Sequence, residues 1–201
     1  MIFLNRDQIN DLISMEEAIR AMGTAFAQLS NGEAVVPPRL SLDIPDKNAT
    51  SLVMPAYATG SPYYTVKIVS VNYSNPDKGL PLIHGVVQVF DAENGKHIAN
   101  LDGASITAIR TGAASGLATD LLAKENANVC AVFGTGVQAA SHIEAVLEVR
   151  SIEKIMVFSR SKPSAEKFCS TLANQVECVI GKKESLLEAD IVCTTTPAQS
   201  P

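Results

Sequence analysis

The segment Gly134-Thr135-Gly136-Val137-Gln138-Ala139 has the residue types and spacing that most directly imply chemistry. It follows the apolar run Val129–Phe133 and opens a stretch with helical periodicity. Gly134 permits a tight turn there, and Gly136 lets backbone come close to a pyrophosphate. Ala139 keeps helix and strand near each other, while the helix start offers free N–H groups and the positive end of its dipole to phosphate. A second apolar strand follows at the distance of a βαβ unit, so the motif sits in the context that a dinucleotide site requires.

The end of that second strand bears on which nicotinamide fits. An acid there would accept hydrogen bonds from a ribose 2′-OH. The sequence instead reads Phe158-Ser159-Arg160-Ser161-Lys162, with no acid before Glu166. Ser159, Arg160 and Lys162 suit a 2′-phosphate, which charge-assisted hydrogen bonds would hold, and Ser161 is expected at the cofactor beside them. The expected cofactor is NADP(H), with NAD(H) as the alternative.

The elements that must position these residues fall into two patterns. From Val129 the rhythm is strand, helix, strand, helix: strands at Val129–Phe133, Lys154–Phe158, Glu177–Ile180 and Asp190–Thr194, with helical stretches at 136–149, 163–174 and 184–189. That alternation predicts a parallel Rossmann sheet. Before it, residues 6–29 read as a helical opening, with Asp7 and Ser14 as caps and a Ser14-Met-Glu-Glu17 capping box. Strands follow at Arg39–Ile44, Ser51–Tyr57, Tyr63–Val71, Gly85–Asp91 and His97–Leu101, separated by turn residues that include Glu93-Asn94-Gly95. Such close spacing predicts antiparallel pairing. An Ala/Gly/Thr-rich helix is expected over Ala104–Leu122. The fold class is thus α/β: an α+β domain with an antiparallel sheet over 1–115, then an incomplete Rossmann domain over 116–201.

Composition narrows the function. Of 201 residues, 46% are hydrophobic and 18% charged, as in a cored globular protein, and the net charge of −5 gives no basis for nucleic-acid binding. No apolar run is long enough to cross a bilayer, and the first residues lack a signal-peptide pattern. Cys130 and Cys193 lie in apolar runs and read as buried free thiols, and His84, His97 and His142 show no ligand spacing, so no metal site and a cytoplasmic setting are expected.

Pro37-Pro38-Arg39, Met54-Pro55, Val66-Lys67-Ile68-Val69, Gly79-Leu80-Pro81, Asp102-Gly-x-x-Ile106-Thr107-x-x-Arg110-Thr111-x-Ala113 and the glycine motif occur in that order. Together they resemble the ornithine cyclodeaminase/mu-crystallin family. The resemblance implies an oxidoreductase acting on a small amino or imino acid, either a ketimine or Δ1-pyrroline-2-carboxylate reductase or an amino-acid dehydrogenase. It implies that Arg39 and Lys67 contact a substrate carboxylate and that Arg110 stands where substrate and cofactor meet. It also implies that Thr111, Gly134, Thr135, Gly136, Val137, Gln138 and the threonines Thr194 and Thr196 lie along the dinucleotide, and that the protein is a homodimer.

Two departures guide the choice within the family. Authentic cyclodeaminases carry Glu where this sequence has Leu52, and an acid where it has Ser159-Arg160. Both departures point toward a reductase or dehydrogenase; a cyclodeaminase, and a non-catalytic NADPH-binding protein or inactive fragment, are the alternatives. Only four Rossmann strands precede Pro197–Pro201, and the resemblance places the catalytic acid further on. No residue is assigned that role, and the chain is expected to be a truncated form with little stability or turnover.

Overall fold

In the computed structural model, residues 1–196 are described. The chain divides into two compact units, one formed by Met1–Ser14 and Gly23–Thr107, the other by Met15–Met22 and the residues from Ala108 onward. Of the three crossings between them, that at Ser14/Met15 falls just before a helix and the other two fall inside helices, as does the expected 115/116 boundary.

The first unit is built on a seven-stranded sheet. Strand β1 (Ile2–Leu4) leads into helix α1 (Arg6–Leu12), and helix α2 (Met15–Ser30) follows. Strands β2 (Ala34–Val35), β3 (Leu40–Ile44), β4 (Ala49–Ala58), β5 (Tyr63–Asn72), β6 (Ile83–Asp91) and β7 (His97–Asp102) then run to helix α3 (Gly103–Leu122). The order is β1-β7-β6-β5-β4-β2, with β3 also on β4.

Four details differ from the sequence-based expectations. The opening is two helices rather than one, because Ile13 adopts extended backbone between them. The first cap is Asn5, not Asp7: its side chain accepts from Gln8 N, and the Gln8 side chain accepts from Asn5 N, each at 3.0 Å. Strand β1 went unexpected, since three residues carry too little periodicity to register. It pairs parallel with β7, so the sheet is mixed rather than purely antiparallel; the long excursion through the rest of the unit makes that pairing geometrically free. At the β6–β7 hairpin only Gly95 takes positive φ (74°). The loop is organised by the Asp91 carboxylate, which accepts from the backbone N–H groups of Glu93 and Asn94.

Directly paired residues share a face of a sheet. Lys67 on β5 stands opposite Met54 and Val87, on the side where Val69 and Val87 are buried. The other face carries the row Leu40, Val53, Ile68, Val86. It also carries stacked Tyr64, Phe90 and His97, with ring centroids 5.0 and 4.8 Å apart. The middle of that apolar row is only half-buried, and Leu40 at its end is 67% exposed.

The second unit holds strand β8 (Val129–Phe133), helix α4 (Val137–Val149), strand β9 (Lys154–Phe158), helix α5 (Lys162–Leu172), strand β10 (Glu177–Ile180) and strand β11 (Ile191–Thr194). The stretch Lys183–Glu188 forms a 3-10 helix rather than an α-helix. All pairings are parallel, in the order β10-β9-β8-β11. The core is apolar: Cys130, Val132, Ile143, Val146, Ile155 and Val157 are fully buried. All four cysteines are free thiols. The Cys130 thiol is pushed far up by its contact with Cys193 and by burial, and the Cys178 thiol likewise by burial and by Cys169.

Candidate cofactor site

A cleft of about 820 Å³ opens at the carboxyl ends of the second sheet. Strand order reverses around β8, which has β9 on one side and β11 on the other, and open α/β sheets bind ligands outside the strand ends at such a point. Four backbone segments form its walls: Phe133–Gly136 after β8, Phe158–Ser161 after β9, Ile180–Gly181 after β10 and Thr195–Thr196 after β11.

The turn after β8 is fixed from several sides. Gly134 N donates to Phe158 O at 2.9 Å. The Phe133 carbonyl accepts from both Thr195 N (2.9 Å) and Thr195 Oγ1 (2.8 Å), which ties the ends of β8, β9 and β11 together. Gly134 has φ 114°, and a Cβ there would stand 2.6 Å from Thr195 Oγ1, so only glycine fits.

Gly136 differs from it. Its backbone is extended, and a Cβ would meet nothing within 4 Å. That empty space lies at the N-cap of α4, where no side chain caps the helix. The first-turn N–H groups have no carbonyl four residues back to bond. A phosphate group suits such a cradle, and a Cβ at this position would intrude on it. Ala139 is fully buried against the sheet, as close helix–strand packing requires.

At the other end, Phe158 stacks on Phe133 with centroids 4.6 Å apart. A Cβ on Gly181 would fall 2.4 Å from the Phe158 ring, so the glycine makes room for that aromatic floor. Ser161 caps α5, accepting from Ser164 N at 3.3 Å, and donates its own N–H to Ser159 Oγ at 3.2 Å. Arg160 is exposed and is the charged member of the lining, which contains no carboxylate. Lys162, outside the lining, reaches Glu166 at 3.8 Å.

Of the residues expected along a dinucleotide, the structure brings Gly134, Thr135, Gly136, Ser159, Arg160, Ser161 and Thr196 to one cleft. Thr194 is on β11, outside it, and Thr195 takes the inward place. The register of β11 decides which of the three consecutive threonines faces inward, and spacing alone does not fix it. Val137 and Gln138 form the first turn of α4, and Gln138 Oε1 is buried with no hydrogen-bond partner. Phe133, Phe158 and Gly181 were not expected in the lining; an aromatic at each strand end followed by small residues is the signal that could have revealed them.

Arg39 and Lys67, expected at the substrate carboxylate, and Arg110, expected where substrate and cofactor meet, stand on three different segments. Arg39 is exposed, one residue before β3. Lys67 is half-buried on β5, and its Nζ donates to Thr107 Oγ1 at 2.6 Å. Both lie in the first unit. Arg110 is exposed on the part of α3 that belongs to the second, as does half-buried Thr111. Leu52, two positions from Met54 on β4, shares the face that carries Lys67. Among the described residues no group of three or more His, Cys, Asp or Glu side chains could hold a metal ion, and no helix is long and apolar enough to cross a membrane.

Comparison with known proteins gives the same architecture. The chain is 35% identical over 209 residues to the Delta(1)-pyrroline-2-carboxylate reductase of Bacillus cereus (strain ZK / E33L), covering 100% of this chain and 63% of that protein. The chain therefore spans under two thirds of the length of this curated relative. It superimposes with a TM-score of 0.93 and 36% identity on the Thermococcus litoralis Delta(1)-pyrroline-2-carboxylate reductase in complex with NADH and L-proline, over 100% of this chain and 64% of that one. An archaeal alanine dehydrogenase dimer with bound NAD also matches at TM-score 0.93 with 31% identity, over 100% and 62%. The profile of the ornithine cyclodeaminase/mu-crystallin family matches residues 1–201, and the chain belongs to that family.

Proposed function

We propose that the protein is an NADP(H)-dependent oxidoreductase that interconverts a small cyclic imino acid, of the Δ1-pyrroline-2-carboxylate type, and the corresponding amino acid. Bound nicotinamide would supply or accept the hydride at the imine carbon. The chain's own residues bind and orient the two reactants. The Gly136 cradle and the first turn of α4 hold the pyrophosphate, with Thr135, Val137, Gln138 and Thr196 along the dinucleotide. Arg39, Lys67 and Arg110 supply positive charge for the substrate carboxylate: a planar guanidinium binds it bidentately and an ammonium adds a point charge.

The observation that carries the cofactor preference is the cleft beyond β9: Ser159, Arg160 and Ser161 line it, and no carboxylate does. A carboxylate there would repel a 2′-phosphate, whereas a guanidinium beside two hydroxyls attracts one. Titration of NADPH and NADH tests it. NADPH should bind at least about tenfold more tightly, and Arg160→Ala should erase that preference while leaving NADH affinity unchanged. Equal binding of the two by the unmodified protein would refute the NADP(H) assignment.

The substrate reading is tested by loss of reduced-nicotinamide absorbance with Δ1-pyrroline-2-carboxylate. Ammonia release from ornithine without net cofactor change would instead indicate a cyclodeaminase. Leu52 argues against that, because it puts an aliphatic side chain on the Lys67 face where a diamine would need a charged partner.

We assign the substrate-binding and dimerisation role to the part within residues 1–115 and nucleotide binding to 116–201. The half-buried apolar row on β3–β6 is the surface proposed to pair two copies. The free thiols suit a reducing compartment, and we place the protein in the cytoplasm.

A further inference from the structure

We infer that Thr107 is a positioning residue for Lys67: its hydroxyl links the lysine ammonium to the Gly103 carbonyl and so decides where that cation stands. The inference rests on the proposal that Lys67 binds the substrate carboxylate. A strand fixes only the root of a lysine side chain; the four-carbon stem leaves Nζ free to sweep a wide arc unless a partner holds it. Here Lys67 Nζ donates to Thr107 Oγ1 at 2.6 Å, and Thr107 Oγ1 donates to Gly103 O at 2.5 Å. A hydroxyl has a single proton. With that proton committed to the Gly103 carbonyl, Thr107 presents a lone pair to Lys67, which makes the contact directional.

The anchor is itself closely packed. A Cβ on Gly103 would lie 2.5 Å from the Gly85 carbonyl carbon and 2.6 Å from Val86 N, so the first turn of α3 rests directly on the backbone of β6. Asp102 caps the same turn, accepting from Ser105 N at 2.7 Å and from Ser105 Oγ at 2.6 Å. Lys67 pairs with Val87 on that strand. The path from β5 through Lys67, Thr107 and Gly103 to β6 therefore closes on neighbouring strands, through two hydrogen bonds and one close backbone contact.

The test is calorimetric titration of pyrrole-2-carboxylate, a planar analogue of the imino acid, into the protein saturated with NADPH, using the unmodified chain, Thr107→Val, Thr107→Ser, Lys67→Ala and the Lys67→Ala/Thr107→Val pair. Thr107→Val should bind the probe about tenfold more weakly, the scale of one lost hydrogen bond to a charged group. Thr107→Ser should stay within about twofold, because the hydroxyl is kept. Both should hold NADPH as before, and the double variant should be no weaker than Lys67→Ala alone. Normal binding by Thr107→Val beside a loss in Lys67→Ala would overturn the positioning role and leave the carboxylate site standing. A parallel loss of NADPH binding in Thr107→Val would also overturn it, as general damage. No binding by the unmodified chain, or normal binding by Lys67→Ala, would overturn both proposals. If Thr107→Val melts too early to titrate, Thr107→Ala takes its place under the same criteria.

Discussion

Two glycines one residue apart in the cofactor turn face opposite constraints, and the difference can be measured. Gly134 combines positive φ with a neighbour at 2.6 Å. Gly134→Ala should therefore destabilise the fold by roughly 2 kcal/mol or more, read as a lower denaturation midpoint. Gly136 has ordinary backbone angles and open space beside it. Gly136→Ala should keep stability within about 0.5 kcal/mol yet weaken NADPH binding, seen by fluorescence titration. Unchanged NADPH affinity in Gly136→Ala would remove the pyrophosphate from that cradle. Spacing alone exposed this pair, because a strand, a glycine turn and a helix leave few alternatives. It could not expose Thr195 over Thr194, nor the Phe133–Phe158 stack, since both depend on how neighbouring strands align at their ends.

Helix α3 shows what element-level reading captures and misses. Its span follows from a run of small residues uninterrupted by proline, but its carboxyl end is held by a partner distant in sequence. At the carboxyl end the Arg150 guanidinium donates to the carbonyls of Thr119, Asp120, Ala123 and Lys124 at 2.8–3.0 Å and pairs with the Asp120 carboxylate at 3.2 Å. With its side chain 8% exposed, Arg150→Ala should cost about 3 kcal/mol, and Arg150→Lys should recover little of it, because a point charge cannot serve a fan of acceptors. A denaturant curve for Arg150→Lys matching the parent would contradict this.

At the amino end, burial acts to raise the Asp102 carboxyl, but the hydroxyl and backbone N–H of Ser105, aided by Arg6, outweigh it and hold the pKa below the usual aspartate value. A carboxylate depressed on folding contributes stability above its unfolded pKa, near 3.9, and loses it as pH falls through the folded value. The gap in melting temperature between the parent and Asp102→Asn should therefore narrow below about pH 4. A gap that stays constant into acid would assign the cap no charge dependence.

At the scale of the molecule, the alternation of strand and helix from Val129 is an almost complete description of the second unit, because parallel pairing with helical crossovers leaves one favoured hand. The first unit was less legible: Ile2–Leu4 and the break at Ile13–Ser14 are decided by long-range pairing and by a single extended residue. Its second sheet face, with Leu40, Val53, Ile68 and Val86 in one row, is the surface proposed above to pair two copies. Ile68→Glu should convert a sedimenting dimer to monomer, and an unaltered sedimentation profile would release that face from the role. All four tyrosines, Tyr57, Tyr63, Tyr64 and Tyr73, lie in that sheet or just past β5, and the chain contains no tryptophan. Ultraviolet emission from the polypeptide thus originates in the first unit alone, whereas the blue emission of a bound reduced nicotinamide would arise in the second. One heated sample watched at both colours would show whether the halves come apart together or in turn, with no label attached.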